Sequence, residues 1–233
     1  MAADAVLDGF AAEARSLAAA MAAAPATAFG APSPCPPWTV SELFAHVANA
    51  AGRVCGMLAG PEPEAGPGDE GLVSAVGYYR ADRRFSAATN ADRIATAQRG
   101  AAGSAPEGLR AEFDRAWQAG RADAGAAPAG RRVLTRHGDL MLLTEFMRTR
   151  VLELAVHGLD LAAGLGRDPW LTDPAAAVVE ELLLGHAAAA AALRAPLGWD
   201  RAGLIAKATG RSPLTAAEQE AVESAGVRWL ALG

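Results

Sequence analysis

Lysine is almost missing from this chain: Lys207 is the only one, and arginine supplies the rest of the 21 basic residues. That bias, together with abundant Ala and Gly, is what a GC-rich genome produces, so arginine's frequency is not by itself chemistry. Against 26 acidic residues the formal charge is −5, which argues against a surface that tracks nucleic-acid phosphates. Aromatics make up only 6%, and Val, Ile, Phe and Tyr are sparse beside alanine. Strands draw on those scarce residues, whereas alanine is the best helix former. An all-α chain is expected. Two cysteines, Cys35 and Cys55, are too few for a disulfide framework and point to a reduced, cytoplasmic protein. Long apolar runs are also lacking. The blandest, "HAAAAAALRAP", falls far short of the roughly 20 residues that a membrane span needs. Asp4, Asp8 and Glu13 stand where a secretion signal would carry basic residues.

What is present is enough for a sizeable core: 233 residues, 52% hydrophobic and 20% charged. Helix punctuation divides it. "DAVLDGFAAEARSLAAAMAAA" reads as a first helix, and "PSPCPPW" ends that pattern. Thr39 and Glu42 form a capping box, so a second helix should run from Thr39 to about Ala59. "GPEPEAGPGDEG" reads as a solvated connection. Residues 72–98 are helical in composition, with a break expected near Asn90. Ser104 and Glu107 suggest another capping box, opening a helix through Trp117, and "GRADAGAAPAGRR" reads as a flexible linker. The longest pattern, "GDLMLLTEFMRTRVLELAVHGLDLAAGLG", should close at Gly164 in a left-handed cap. Asp173 with Pro174, then Thr215 with Glu218, mark two further starts. The expected architecture is an antiparallel four-helix bundle over residues 1–165, followed by a helical C-terminal extension over 166–233 packed on it.

On the long helix, Glu153 and His157 are four residues apart and share a face, with Arg150 and Asp160 extending the stripe. A carboxylate and an imidazole at this spacing suit a first-row metal, and bundle cores build such sites from facing helices. His46, flanked by Leu43, Val47 and Ala50 in the second helix, is the candidate third ligand. Spacing alone leaves a blander reading open: His46 a satisfied core histidine, and Glu153 paired with Arg150.

"PCPPWTVSELFAHVANA" and "RTRVLELAVHGLDLAAGLG" together resemble the two metal motifs of the mycothiol-dependent maleylpyruvate isomerase family, a branch of the DinB-like metalloenzymes. Trp38 and His46 match the first motif; Glu153, His157 and Asp160 match the second. The tail from Leu197 resembles the ending of members described as mycothiol-dependent. The resemblance implies a DinB-like bundle in which His46, Glu153 and His157 bind a divalent metal, Zn2+ foremost and Ni2+ next. It also implies mycothiol as cosubstrate, activated as a metal-bound thiolate for attack on a small electrophile by S-transfer, conjugation or thiol-assisted isomerisation. The family's namesake departs from this chain in following its bundle with a mixed α/β domain that holds a functional arginine, which has no placed counterpart here.

Within that frame Asp160 would orient His157 or accept the thiol's proton; the bland alternative is a solvated charge near a helix end. Arg53, two turns beyond His46, would hold a substrate carboxylate unless it pairs with a core acid. Trp38 would pack at the start of the second helix or wall the pocket. Cys55 falls on the opposite side of its helix from His46, and Cys35 is read as packing, with a nucleophilic role as the alternative. His137 is expected in solvent and His186 on a helix surface. The partners implied are a low-molecular-weight thiol and a small electrophile, with no nucleic acid or membrane; monomer and dimer stay open. A competing function is a non-catalytic DinB-like protein that sequesters a small molecule.

Overall fold

The structure is a computed structural model that describes residues 1–64, 71–228 and 230. It is all-α apart from one small hairpin. Four long helices form the bundle: α1 (Ala3–Ala22), α2 (Val40–Leu58), α5 (Pro106–Ala126) and α6 (Leu143–Gly164). Between α2 and α5 lie the one-turn α3 (Ala75–Tyr78), a 3-10 turn (Arg83–Phe85) and α4 (Ala87–Ala101). α2 and α1 each pack against both α5 and α6. Small residues let α2 and α5 approach closely: a Cβ on Gly120 would stand 2.8 Å from the Ala51 carbonyl oxygen.

The regular elements described in the extension are all helices, α7 (Asp173–Leu184), α8 (Ala187–Leu197), α9 (Arg201–Ala208) and α10 (Ala216–Ser224), joined by short loops. α7 lies on α1 and α6, and α9 reaches both α7 and α6. The buried Glu13 of α1 clamps this layer by accepting the Thr172 backbone N–H at 2.9 Å and its hydroxyl at 2.7 Å. α6 is thereby covered from both sides. From Thr149 to Ala162 every residue is buried except Glu153, which is half-buried.

Several boundaries follow the sequence reading. Thr39 caps α2 in a full capping box with Glu42, and Thr215 does the same for α10 with Glu218. Others differ. The break in residues 72–98 comes at Tyr79–Ser86, with Ser86 capping α4, so Asn90 lies inside a helix. No Ser104–Glu107 box forms: Pro106, lacking an N–H and holding a helical φ, sets the start of α5 with Ala105 as an uncapped N-cap. α5 then runs to Ala126 through most of the expected linker, since Gly120 and Ala124 are buried and packing outweighs glycine's weak propensity. The start of the long helix pattern is instead a hairpin, β1 (Arg132–Leu134) and β2 (Leu140–Leu142), turning at Gly138 with φ +86°. α6 ends in a left-handed cap at Gly166, not Gly164; Gly166 and Arg167 donate back to Ala163 and Ala162. At α7 Thr172 is the N-cap, one residue before the expected Asp173. The acidic Pro- and Gly-rich connection lies partly outside the described residues. Among those described, no single helix is long and apolar enough to cross a membrane.

Candidate functional site

The loop before α2 folds on itself. The Ser33 N–H and hydroxyl both donate to the Trp38 carbonyl, at 3.0 and 2.8 Å, and the Val40 N–H donates to the Ala31 carbonyl. This fixes Trp38 and Cys35 beside the first turns of α2, whose capped start sets the rotation that points His46 toward α6. Trp38 stacks on the His46 ring, centroids 4.8 Å apart. Across the groove, Glu153 Oε2 lies 3.6 Å from His46 Nε2 and 3.5 Å from His157 Nε2. The ligand atoms of His46, Glu153 and His157 all lie within 4.8 Å of one another. Ligands at tetrahedral angles around a zinc ion, with bonds of about 2.0–2.1 Å, stand about 3.4 Å apart. The donor set and its spacing therefore fit such an ion.

Each ligand is supported from behind. Glu153 Oε1 accepts the Tyr79 hydroxyl at 3.1 Å, and buried Arg150 stands 3.9 Å away. His157 Nδ1 lies 2.9 Å from Asp160 Oδ2. Asp160, only 2% exposed, also accepts from Cys35 Sγ at 3.2 Å and from the Arg211 guanidinium. Cys35, His157 and Asp160 are close-set enough to hold an ion themselves. That second group is occupied by its own hydrogen bonds, whereas the first opens to a pocket.

The electrostatics keep both carboxylates of this floor ionised. Burial works against an ionised Glu153, yet bonds from His157 and His46 and the nearby Arg150 hold its pKa well below the carboxylate range. Burial pushes His46 down, to about 4; the charges of His157 and Arg93 add to it, and the bond and charge of Glu153 oppose it without prevailing. His157 is buried too, but its bonds to Asp160, Cys35 and Glu153 win, and its pKa rises well above the usual value. Asp160 falls to about 2: against burial stand the bond and charge of His157, then Arg211.

The pocket above this floor is walled by Trp38, Tyr78 and Phe85 and by a set of arginines. Arg84 is neutralised by Asp139 at 2.6 Å. Arg53, Arg93 and Arg136 have no carboxylate partner within ion-pair distance among the described residues. Burial lowers the pKa of Arg53, and the charges of Arg150 and Arg136 lower it further.

The structure thus brings together His46, Glu153, His157, Arg53 and Trp38 around one pocket, with Asp160 behind His157. Cys55 lies apart, on the α5 side beside Asp123. His186 is exposed and caps α8 through Nδ1. His137 corrects its expectation: it is half-buried against Tyr78 at the hairpin tip and lines the pocket, because the unexpected hairpin folds it inward. Tyr79, Arg93, Arg136 and Arg211 escaped the sequence reading. For Tyr79 a signal existed, since the chain's two tyrosines are adjacent.

The sequence model of the mycothiol maleylpyruvate isomerase N-terminal domain matches residues 10–162. The chain belongs to that family. The matched span holds the pocket floor and stops before the extension. Among solved structures the family's resemblance extends to the crystal structure of the mycothiol-dependent maleylpyruvate isomerase, at 18% identity and TM-score 0.54, covering 79% of this chain and 72% of that one. A histidine-to-alanine mutant of that enzyme matches at 17% identity with the same TM-score and coverage. Identities this low speak for the fold. No curated protein matches the chain.

Proposed function

We propose that this family member is a zinc-dependent thiol enzyme, Ni2+ being the alternative metal, that activates mycothiol for attack on a small electrophile. The observation that carries the reading is the convergence of His46, Glu153 and His157, from two facing helices, on one point at the floor of an open pocket. His46, Glu153 and His157 would hold the zinc ion, and the ion would supply the chemistry of lowering the pKa of an incoming thiol, about 8.5 when free, so that it reacts as a thiolate at neutral pH.

The remaining work falls to the chain's own side chains. Asp160 takes the His157 Nδ1–H, leaving the Nε2 lone pair toward the floor. Its burial and its other donors, Cys35 and Arg211, favour orientation over proton transfer from the thiol. Arg53, joined by Arg93 and Arg136, binds an anionic group of the electrophile. Trp38 keeps the His46 ring in place and walls the pocket against water. The reaction is S-transfer, conjugation or thiol-assisted isomerisation. We place it in the cytoplasm, where the free Cys35 and Cys55 stay reduced. We assign the chemistry to residues 1–165 and a supporting role to 166–233.

Metal analysis of the purified protein should find about one zinc or nickel per chain, lost in His46→Ala. Incubation with mycothiol and a panel of electrophiles, followed by mass spectrometry, should show thiol adducts or isomerised product. A metal-free wild type would overturn the reading. A metal-replete protein that never consumes or turns over anything would indicate sequestration instead.

A further inference from the structure

We propose that Arg211, carried by the C-terminal extension, is a positioning residue of the metal centre and acts on His157 through Asp160. The inference rests on the metal-binding reading above and adds to it a residue outside the span that the family model matches.

The sequence "AKATGRS" explains why the side chain arrives there. α9 is capped by Asp200, whose carboxylate accepts the Gly203 N–H, and buries Leu204, Ile205 and Ala208. Arg201, at its first turn, grips the buried Glu180 of α7 at 2.7 and 3.1 Å, which fixes α9 against the layer that covers α6. The helix then stops at Gly210, φ +74°, with the Arg211 N–H donating to the Ala206 carbonyl at 2.7 Å. Only a left-handed residue makes this turn cheaply, and the turn directs the Arg211 backbone back toward α6. Its Nη1 is spent on the Thr209 carbonyl at 2.9 Å. Nε and Nη2 reach Asp160 Oδ1 and Oδ2, each at 3.2 Å.

This is a two-pronged grip on a carboxylate that is almost wholly buried, 51 residues away in sequence. Two prongs fix the plane of the Asp160 carboxylate, and that plane fixes the direction in which Oδ2 receives the His157 Nδ1–H. The His157 ring can then turn its Nε2 only toward Glu153 and His46. Without Arg211, Asp160 would keep the thiol of Cys35 as its remaining partner besides His157. A thiol is a weak, single donor and leaves the carboxylate free to rotate.

Zinc affinity, measured by competition with a chromophoric chelator, should fall about 10- to 100-fold in Arg211→Gln, the usual loss for a residue supporting a ligand. The visible spectrum of the cobalt-substituted protein should change in band position and intensity. Arg211→Lys, which keeps the charge but not the fork, should fall between the two. In a double-mutant cycle, Arg211→Gln added to Asp160→Asn should cost little more than Asp160→Asn alone. Arg211→Gln binding zinc as the wild type does, with an unaltered cobalt spectrum, would overturn the proposal. So would additive losses in the cycle. Should Arg211→Gln not fold, the Arg211→Lys affinity and spectrum decide alone. A wild type that binds no zinc would bring down the metal-centre reading and this inference with it, an outcome distinct from the others.

Discussion

A tyrosine hydroxyl, a carboxylate and two imidazoles meet at the floor of the pocket, and each can be tested singly. Tyr79→Phe removes the hydroxyl's bonds to Glu153 Oε1 and to the Thr149 carbonyl and leaves a buried ring, so the fold should persist while zinc affinity drops about tenfold. The two histidines give the metal-free protein a particular pH profile. His46, pushed down to about 4, is neutral in the fold between there and roughly 6.5, where the unfolded chain takes up a proton. Stability from this residue is therefore lost as pH falls from about 6.5 toward 4. His157 has the opposite sign: its raised folded pKa gives stability fully present below about 6.5 and lost as pH climbs through the folded value. Denaturant titrations of chelator-treated protein should show His46→Gln flattening the acid slope and His157→Gln flattening the alkaline one. Identical profiles for all three proteins would refute the assignment. At this scale the sequence was informative where spacing is local. Glu153, His157 and Asp160 share a helical stripe that can be counted along the chain. Arg211 could not be counted, because its approach depends on a left-handed turn at the end of a different helix.

Among the elements, α2 was the most legible, since a capping box is written within four residues and decides the start of the helix wherever the rest of the chain goes. Thr39→Ala should cost about 1 kcal/mol in denaturant unfolding, and it should loosen the setting of His46 seven residues on. The end of α5 and the hairpin were illegible for a common reason. Three-residue strands carry too little alternation to show, and Gly120 looks like a breaker until α2 is laid against it. There the missing Cβ is the point of contact. Gly120→Val should destabilise by about 1–3 kcal/mol as the helices are forced apart, seen as a lower midpoint with an unchanged slope. Gly56, whose Cβ would meet nothing within 4 Å, is the matched control. Gly56→Ala should be neutral or slightly stabilising.

Across the whole molecule, a net charge of −5 surrounds a pocket whose Arg53, Arg93 and Arg136 have no acidic partner within ion-pair distance among the described residues. An anionic electrophile would be drawn to that wall by its local field and held off by the remainder of the surface. Raising ionic strength from about 0.05 to 0.5 M should therefore raise KM for an anionic electrophile and leave a neutral one nearly unchanged. Arg53→Gln should abolish most of that salt dependence with little change in kcat. The helical bundle and its extension were legible at this scale because composition and punctuation agree over long stretches. How the extension docks was not, since it hangs on single long-range partners such as Glu13 with Thr172.

The near-complete enclosure of α6 separates two kinds of constraint. Its polar stripe is seated between a bundle and a covering layer, so any exchange there must be matched on both flanks at once. The rim, made of a one-turn helix, a 3-10 turn, the middle of α4 and a hairpin tip, bears no such double load. New rims could be swapped onto an untouched floor, so under the proposed function the choice of electrophile would be interchangeable while the ion's seat stayed fixed.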